Sequence, residues 1–159
     1  MIKFKRLFLT VFAVAFALCM TACAFDEKDK NDKRFEVTAK YCNDFKMGEG
    51  IKHYIILDVK ILSDADDNTF NYSDFKIAFF NREANPVGFA KYDKGENGGY
   101  VNITASSQSV TVIPGSDDDS FSVLFDDTSD SFGTKHLSKG DKLSVYYKNN
   151  FIAYNITVE

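Results

Sequence analysis

Residues 142–158, KLSVYYKNNFIAYNITV, carry two alternating apolar runs back to back. Leu143, Val145 and Tyr147 form the first; Ile152, Tyr154, Ile156 and Val158 form the second, after a break at Asn149-Asn150. A period of two is the spacing of side chains along one face of a β-strand. Asparagine tolerates the positive φ of a two-residue turn, so Tyr147 to Phe151 predicts a tight hairpin. Alternation also puts Tyr146 and Tyr147 on opposite faces, so at least one ring points outward. Together with Tyr154 they form a candidate aromatic patch, in which Tyr146 and Tyr154 are the expected interaction residues.

The pattern repeats upstream. Phe35, Val37, Ala39 and Tyr41 alternate, as do Ile55, Leu57, Val59 and Ile61, with Asp58 and Lys60 facing the other way. Phe75, Ile77 and Phe79 follow, then Val101 and Ile103, Val110 and Val112, and Phe121, Val123 and Phe125. These runs are rich in β-branched and aromatic residues, which suit a pleated, half-buried surface. Turn chemistry separates them at Gly48-Glu49-Gly50, Ser63 to Thr69, Asn81 to Pro86, Asp93 to Gly99 and Pro114-Gly115. No stretch after residue 34 sustains a helical stripe. The expectation is an all-β domain over residues 35–159, a β-sandwich of seven to nine antiparallel strands.

The N-terminal region has another character. Lys3, Lys5 and Arg6 precede an apolar run from Leu7 to Leu18. At about a dozen residues the run is too short to span the ~30 Å hydrocarbon core. Basic start, short apolar stretch and small residues at its end have the layout of a secretory signal peptide, here residues 1–22. Met20-Thr21-Ala22-Cys23 resembles the lipobox of bacterial lipoproteins, which implies that Cys23 receives a diacylglyceryl group and becomes the new N-terminus. Two or three acyl chains, palmitate among them, suffice for stable anchoring. Residues 23–34 follow as a lipidated Cys and a mixed-charge tether with almost nothing to bury, expected to be disordered. The expected location is the outer face of the cell membrane, or the outer membrane if the cell has two.

Composition narrows the partners. The chain has 19 Lys+Arg and 23 Asp+Glu, and residues 1–22 hold three of the basic residues and no acidic ones. Residues 23–159 therefore carry 16 − 23 = −7. That balance lacks the basic footprint nucleic acid requires, and it opposes adsorption to an anionic membrane by charge alone. The lipid must anchor the protein, and a protein or other envelope component is the expected partner.

The order IKHYIILDVKIL (51–62), NYSDFKIAFFNREANPV (71–87), VTVIPGSDDDSFSVLFD (110–126) and KLSVYYKNNFIAYNITV (142–158) resembles the telokin-like, immunoglobulin-fold lipoprotein domains of bacteria. The resemblance rests on Ser73-Asp74-Phe75 at a strand start, the Pro114-Gly115 turn and Phe125 at a strand end. It implies an immunoglobulin-like sandwich, extracellular display and no catalytic residues.

Catalytic chemistry is hard to assemble from these residues. There is no Gly-x-Ser-x-Gly elbow, no His-Glu-x-x-His and no Cys-x-x-Cys. His53 opens an apolar strand and His136 sits in a polar stretch, far apart in sequence. Cys42 with His53 is the one thiol–imidazole combination, and nothing places the two together. No phosphate-cradling loop precedes a helix, so no cofactor is expected; the Gly-rich residues 93–99 read as a hairpin tip. The acidic clusters are the best chemical hint. Asp64, Asp66 and Asp67 form one, Asp117, Asp118 and Asp119 a second, and Asp126, Asp127 and Asp130 a third. Hard calcium takes carboxylate oxygens, so these aspartates are the candidate metal ligands, although the spacing from Asp64 fails an EF-hand. The second and third clusters flank one strand and should face opposite ends of the domain. The leading expectation is a non-catalytic interaction or adhesion module; a calcium- or small-ligand-binding lipoprotein is the alternative.

Overall fold

The computed structural model describes residues 31–42, 53–62, 68–93, 99–103, 108–127 and 136–159. Eleven strands run through them: β1 (Phe35–Cys42), β2 (Tyr54–Ile61), β3 (Thr69–Asn71), β4 (Phe75–Phe79), β5 (Arg82–Ala84), β6 (Gly88–Asp93), β7 (Gly99–Asn102), β8 (Ser109–Thr111), β9 (Ser120–Asp126), β10 (Lys142–Tyr147) and β11 (Asn150–Thr157). A 3-10 turn, Tyr72–Asp74, leads into β4. No helix among the described residues is long and apolar enough to cross a membrane.

The alternating pattern explains the layering. Along β2, Ile55, Leu57, Val59 and Ile61 are buried on one face. They meet Val123 and Phe125 of β9, Phe89 of β6, and Phe35 and Ala39 of β1. From the facing sheet come Phe75, Ile77 and Phe79 of β4, Leu143, Val145 and Tyr147 of β10, and Ile152 of β11. The result is all-β: a five-stranded sheet, order β1-β2-β9-β6-β7, and a four-stranded sheet, order β11-β10-β4-β5, sharing one core in the manner of a sandwich. All strand pairs within the sheets are antiparallel.

A separate ribbon, β3 with β8, brings Phe70 into that core. Its ring lies 5.1 Å from Phe121, 5.4 Å from Tyr147, 6.3 Å from Phe35 and 6.5 Å from Phe75. One side of the sandwich is closed by β11 meeting β1. Ala39 and Val158 form a parallel bridge, the Glu159 amide donates to Ala39 O at 2.9 Å, and the Tyr41 amide donates to Glu159 O at 3.0 Å.

Several expectations need correction. The two main sheets hold nine strands, and the β3–β8 ribbon adds two more beyond the expected seven to nine. β3 and β5 have three residues each, too few for alternation to register, whereas β8 falls on the expected Val110–Val112 run. Asn81 to Pro86 is not all turn, because β5 lies within it. The final hairpin turns at Lys148-Asn149, with φ 47° and 65°, while Asn150 already pairs with Tyr147 in the ladder. The tether also ends sooner than expected. Asn31 Oδ1 accepts the Tyr154 amide at 2.6 Å, and Arg34 forks onto the Asp32 carboxylate at 2.6–3.2 Å, so residues 31–34 lie against the domain.

Candidate functional site

β11 carries a set of irregularities that decide which rings face outward. Tyr146 pairs with Phe151, Val145 with Ala153 and Leu143 with Ile156, so β11 gains a residue twice against β10. Each extra residue is a bulge, and a one-residue slip moves every following side chain to the other face. At the first slip Ile152 and Ala153 both turn inward and are buried. Tyr154 therefore faces outward with Phe151, although simple alternation puts it in phase with Ile152. Asn155, at φ 57°, completes the second slip. Its amide donates to Ser144 Oγ at 3.1 Å, and the Tyr154 amide finds Asn31 instead of a ladder partner.

The outcome is a row of three rings on the outer face of the four-stranded sheet. Tyr146 and Phe151 stack with centroids 4.2 Å apart, and Tyr154 meets the edge of Phe151 at 5.8 Å. Phe151 remains 38% exposed. Tyr147, across the strand, is buried in the core. Beside the row lies an open groove of about 490 Å³, lined by Phe80, Arg82, Lys142, Ser144, Tyr154 and Asn155. Phe80 occupies the first position of the β4–β5 turn at φ 46°, a left-handed conformation that a bulky residue adopts only under constraint. The strands of this sheet carry Lys76, Arg82 and Lys142 against one carboxylate, Glu83, a net of +2, and the Lys148 ammonium of the following turn lies 5.2 Å from the centre of the buried Tyr147 ring. Lys76 and Glu83 pair at 3.0 Å.

The outer face of the five-stranded sheet is built differently. Asp58 is its hub: Lys40 Nζ and Ser122 Oγ each donate to it at 2.6 Å, and Tyr100 OH donates at 3.2 Å. The hydrogen bond to Asp58 raises the Lys40 pKa, and burial raises that of Tyr100. Tyr92 packs edge-on to Tyr100 at 5.3 Å, beside a concavity of about 310 Å³. Below the hub Tyr54, Ile56, Ala90 and Leu124 are buried, with Cys42 packed against them. Both Asp58 oxygens are thus satisfied from within the protein, which suits a structural network.

At one end of the sandwich the two histidines sit near one carboxylate. Asp127 is 1% exposed and accepts the Leu137 amide on Oδ1 at 3.3 Å. His136 Nδ1 lies 3.0 Å from Asp127 O and 3.3 Å from its Oδ2. Burial pushes the Asp127 carboxyl up from its ordinary value, partly offset by the Leu137 amide and the nearby imidazoles. The Asp127 amide donates to His53 O at 3.0 Å. The His53 ring stacks on Tyr41, whose hydroxyl is 2.8 Å from Nδ1. His53 shares the inner phase of Ile55, whereas Cys42 shares the outer phase of Tyr54, so the sheet separates thiol from imidazole. The side-chain partners of the two imidazoles are Tyr41 for His53 and Asp127 for His136.

The acids of the clusters that fall among the described residues do not converge. Asp64, Asp66, Asp67 and Asp130 lie outside the described residues. Asp117 and Asp118 are exposed in the loop before β9, and Asp119 pairs with Lys60 at 3.2 Å. Asp126 and Asp127 stand at the far end of β9. No group of three or more metal-capable side chains comes together among the described residues. Phe151, the Asp58 hub and the His53–Tyr41 pair escaped the sequence reading. The hub had a visible signal, a lone acid inside the apolar run IILDVKI.

Compared with known proteins, the chain matches no family model, no curated protein and no solved structure. The telokin-like resemblance rests on the quoted motifs alone.

Proposed function

We propose that this chain is a lipid-anchored surface lipoprotein whose domain is a non-catalytic, immunoglobulin-like interaction module that docks through the outer face of its four-stranded sheet. The observation that carries the reading is the Tyr146–Phe151–Tyr154 row, turned outward by bulges in β11. Bulges re-aim side chains and recur beside functional surfaces, and aromatic residues are enriched where proteins make contact. The strained Phe80 beside the groove fits the same reading.

The strand order supports the immunoglobulin-like part. β1, β2, β9 and β6 take the places of strands A, B, E and D, and β11, β10, β4 and β5 those of G, F, C and C′. β7 and the β3–β8 ribbon are additions to that frame. A cluster of Phe70, Phe75, Phe121 and Tyr147 fills the core, in a chain with no Trp, where antibody domains use a Trp packed on a disulfide.

Two experiments test the reading. Metabolic labelling with a palmitate analogue should mark the native protein and fail on Cys23→Ser. A photo-crosslinking amino acid at Phe151 should form adducts on intact cells, whereas one at Tyr92 should not. Equal adducts at both positions would remove the case for a single docking face.

A further inference from the structure

The docking face has a chemistry that selects its occupant. The strands of its sheet carry +2, whereas residues 23–159 carry −7, so the remainder of that segment carries −9. The acids gather elsewhere, in the loop 117–119 and at the far end of β9. The strands of the five-stranded sheet carry Lys40, Lys60 and Lys91 against Glu36, Asp58, Asp93 and Asp126, a net of −1, so the four-stranded sheet is the more basic of the two. Half-exposed Tyr and Phe rings beside long cationic side chains suit a lipid–water interface, where aromatic rings sit at headgroup level and Lys and Arg stems reach back to phosphate. Net negative charge argues against adsorption of the domain as a whole, and the +2 sheet is the exception to it.

Attachment points the same way. The chain joins the domain at Asn31, whose side chain holds the Tyr154 amide at 2.6 Å. The tether thus arrives at the aromatic row itself. Cys23 is 31 − 23 = 8 residues upstream, a reach of about 28 Å even when fully extended. A lipid at Cys23 would keep this face within that distance of the bilayer, and at such an effective concentration even a weak contact forms.

Resting on the anchored reading above, we infer that the Tyr146–Phe151–Tyr154 face docks on the lipid surface into which Cys23 is inserted, so that the domain lies flat with its five-stranded sheet outward. The contact is with anionic headgroups and the upper acyl region, through rings flanked by Lys76, Lys142 and Arg82.

The protein has no Trp, so a single introduced Trp reports its own surroundings. The lipidated protein, carrying Phe151→Trp or Tyr92→Trp, is reconstituted into phosphatidylcholine–phosphatidylglycerol vesicles, with or without bromine on the acyl chains. Flotation shows whether it is anchored. The expected result is that the Phe151→Trp protein loses most of its emission to bromolipid and the Tyr92→Trp protein keeps it. Raising the phosphatidylglycerol fraction should deepen the loss, and Lys142→Glu with Lys76→Glu should reverse it. Tyr146→Trp reads the same face if Phe151→Trp disturbs the fold. Equal quenching of the two proteins, or none in either while the protein floats, overturns the inference. Failure to float removes the anchored reading and the inference with it. In native membranes, Phe151→Trp emission shielded from aqueous acrylamide yet untouched by bromolipid would mean that a protein covers the face, which also overturns it.

Discussion

Two phenylalanines should respond oppositely to the same substitution. Phe70 is fully buried and comes from a three-residue strand outside both main sheets, yet its ring has four aromatic neighbours within 6.5 Å. Phe→Ala at a closed core site costs about 3–5 kcal/mol, and aromatic pairs add roughly 0.5–1.5 kcal/mol each beyond area burial. Phe70→Ala should therefore fall at the upper end, about 4–5 kcal/mol. A domain of this size has a net stability of roughly 6–19 kcal/mol at 0.05–0.15 kcal/mol per residue, so the variant stays folded only if the wild type sits well inside that range. Phe151→Ala removes a half-exposed ring and should cost under about 1 kcal/mol. The assay is urea unfolding of unlipidated Cys23→Ser protein, followed by far-UV circular dichroism. A loss at Phe70 no greater than that at Phe151 would refute the reasoning, because the β3–β8 ribbon would then be dispensable to the core.

Further outcomes follow from the polar and strained residues. Burial raises the Asp127 pKa above its ordinary 3.8, so the folded state holds that proton more tightly than the unfolded one. Its contribution to stability is complete below 3.8 and is lost as pH rises through the folded value. Asp127→Asn should therefore gain on wild type as pH rises above 3.8, and urea midpoints showing a growing deficit would contradict the assignment. Phe80→Asn replaces a bulky residue at positive φ with one that tolerates it, and should raise stability by about 0.5–1 kcal/mol while weakening docking. Calorimetric melting would detect the first effect and vesicle quenching the second. Asp58→Ala strands Lys40, Tyr100 and Ser122 and should cost about 1–3 kcal/mol. The Lys40–Asp58 coupling in a double-mutant cycle should stay below about 1 kcal/mol, because both side chains are partly solvated. The raised Lys40 pKa makes that coupling present below its ordinary 10.5 and lost as pH climbs past the folded value.

Period-two alternation was enough to indicate the two sheets and most of the core, because inward positions such as Ile55, Leu57, Val123 and Val145 repeat over six or more residues. It could not report β3 or β5, which are too short to show a period. It also missed the reverse-face burial of Ile56 and Leu124, which a two-sided strand disguises as a continuous apolar run. Tyr146 was legible as outward from its contrast with Tyr147. Tyr154 was named for the patch, yet its orientation depends on bulges with no compositional mark beyond Asn155. Asp127 read as one more loop acid, since a buried carboxylate is distinguished by its partners, Leu137 and His136, and not by its neighbours in sequence.

The seam between β1 and β11 has a consequence for biogenesis. Ala39 pairs with Val158, 158 − 39 = 119 positions downstream, and Tyr41 is bonded only through Glu159 on that side. Until those residues have emerged, β1 has an open edge and the sandwich lacks one wall. Closing that wall therefore waits on a contact between residues more than a hundred positions apart. Closure across so long a loop belongs to the slow, topology-limited class of folding reactions, on the order of milliseconds to seconds. During that interval the exposed β1 edge is where a chaperone would have most to protect.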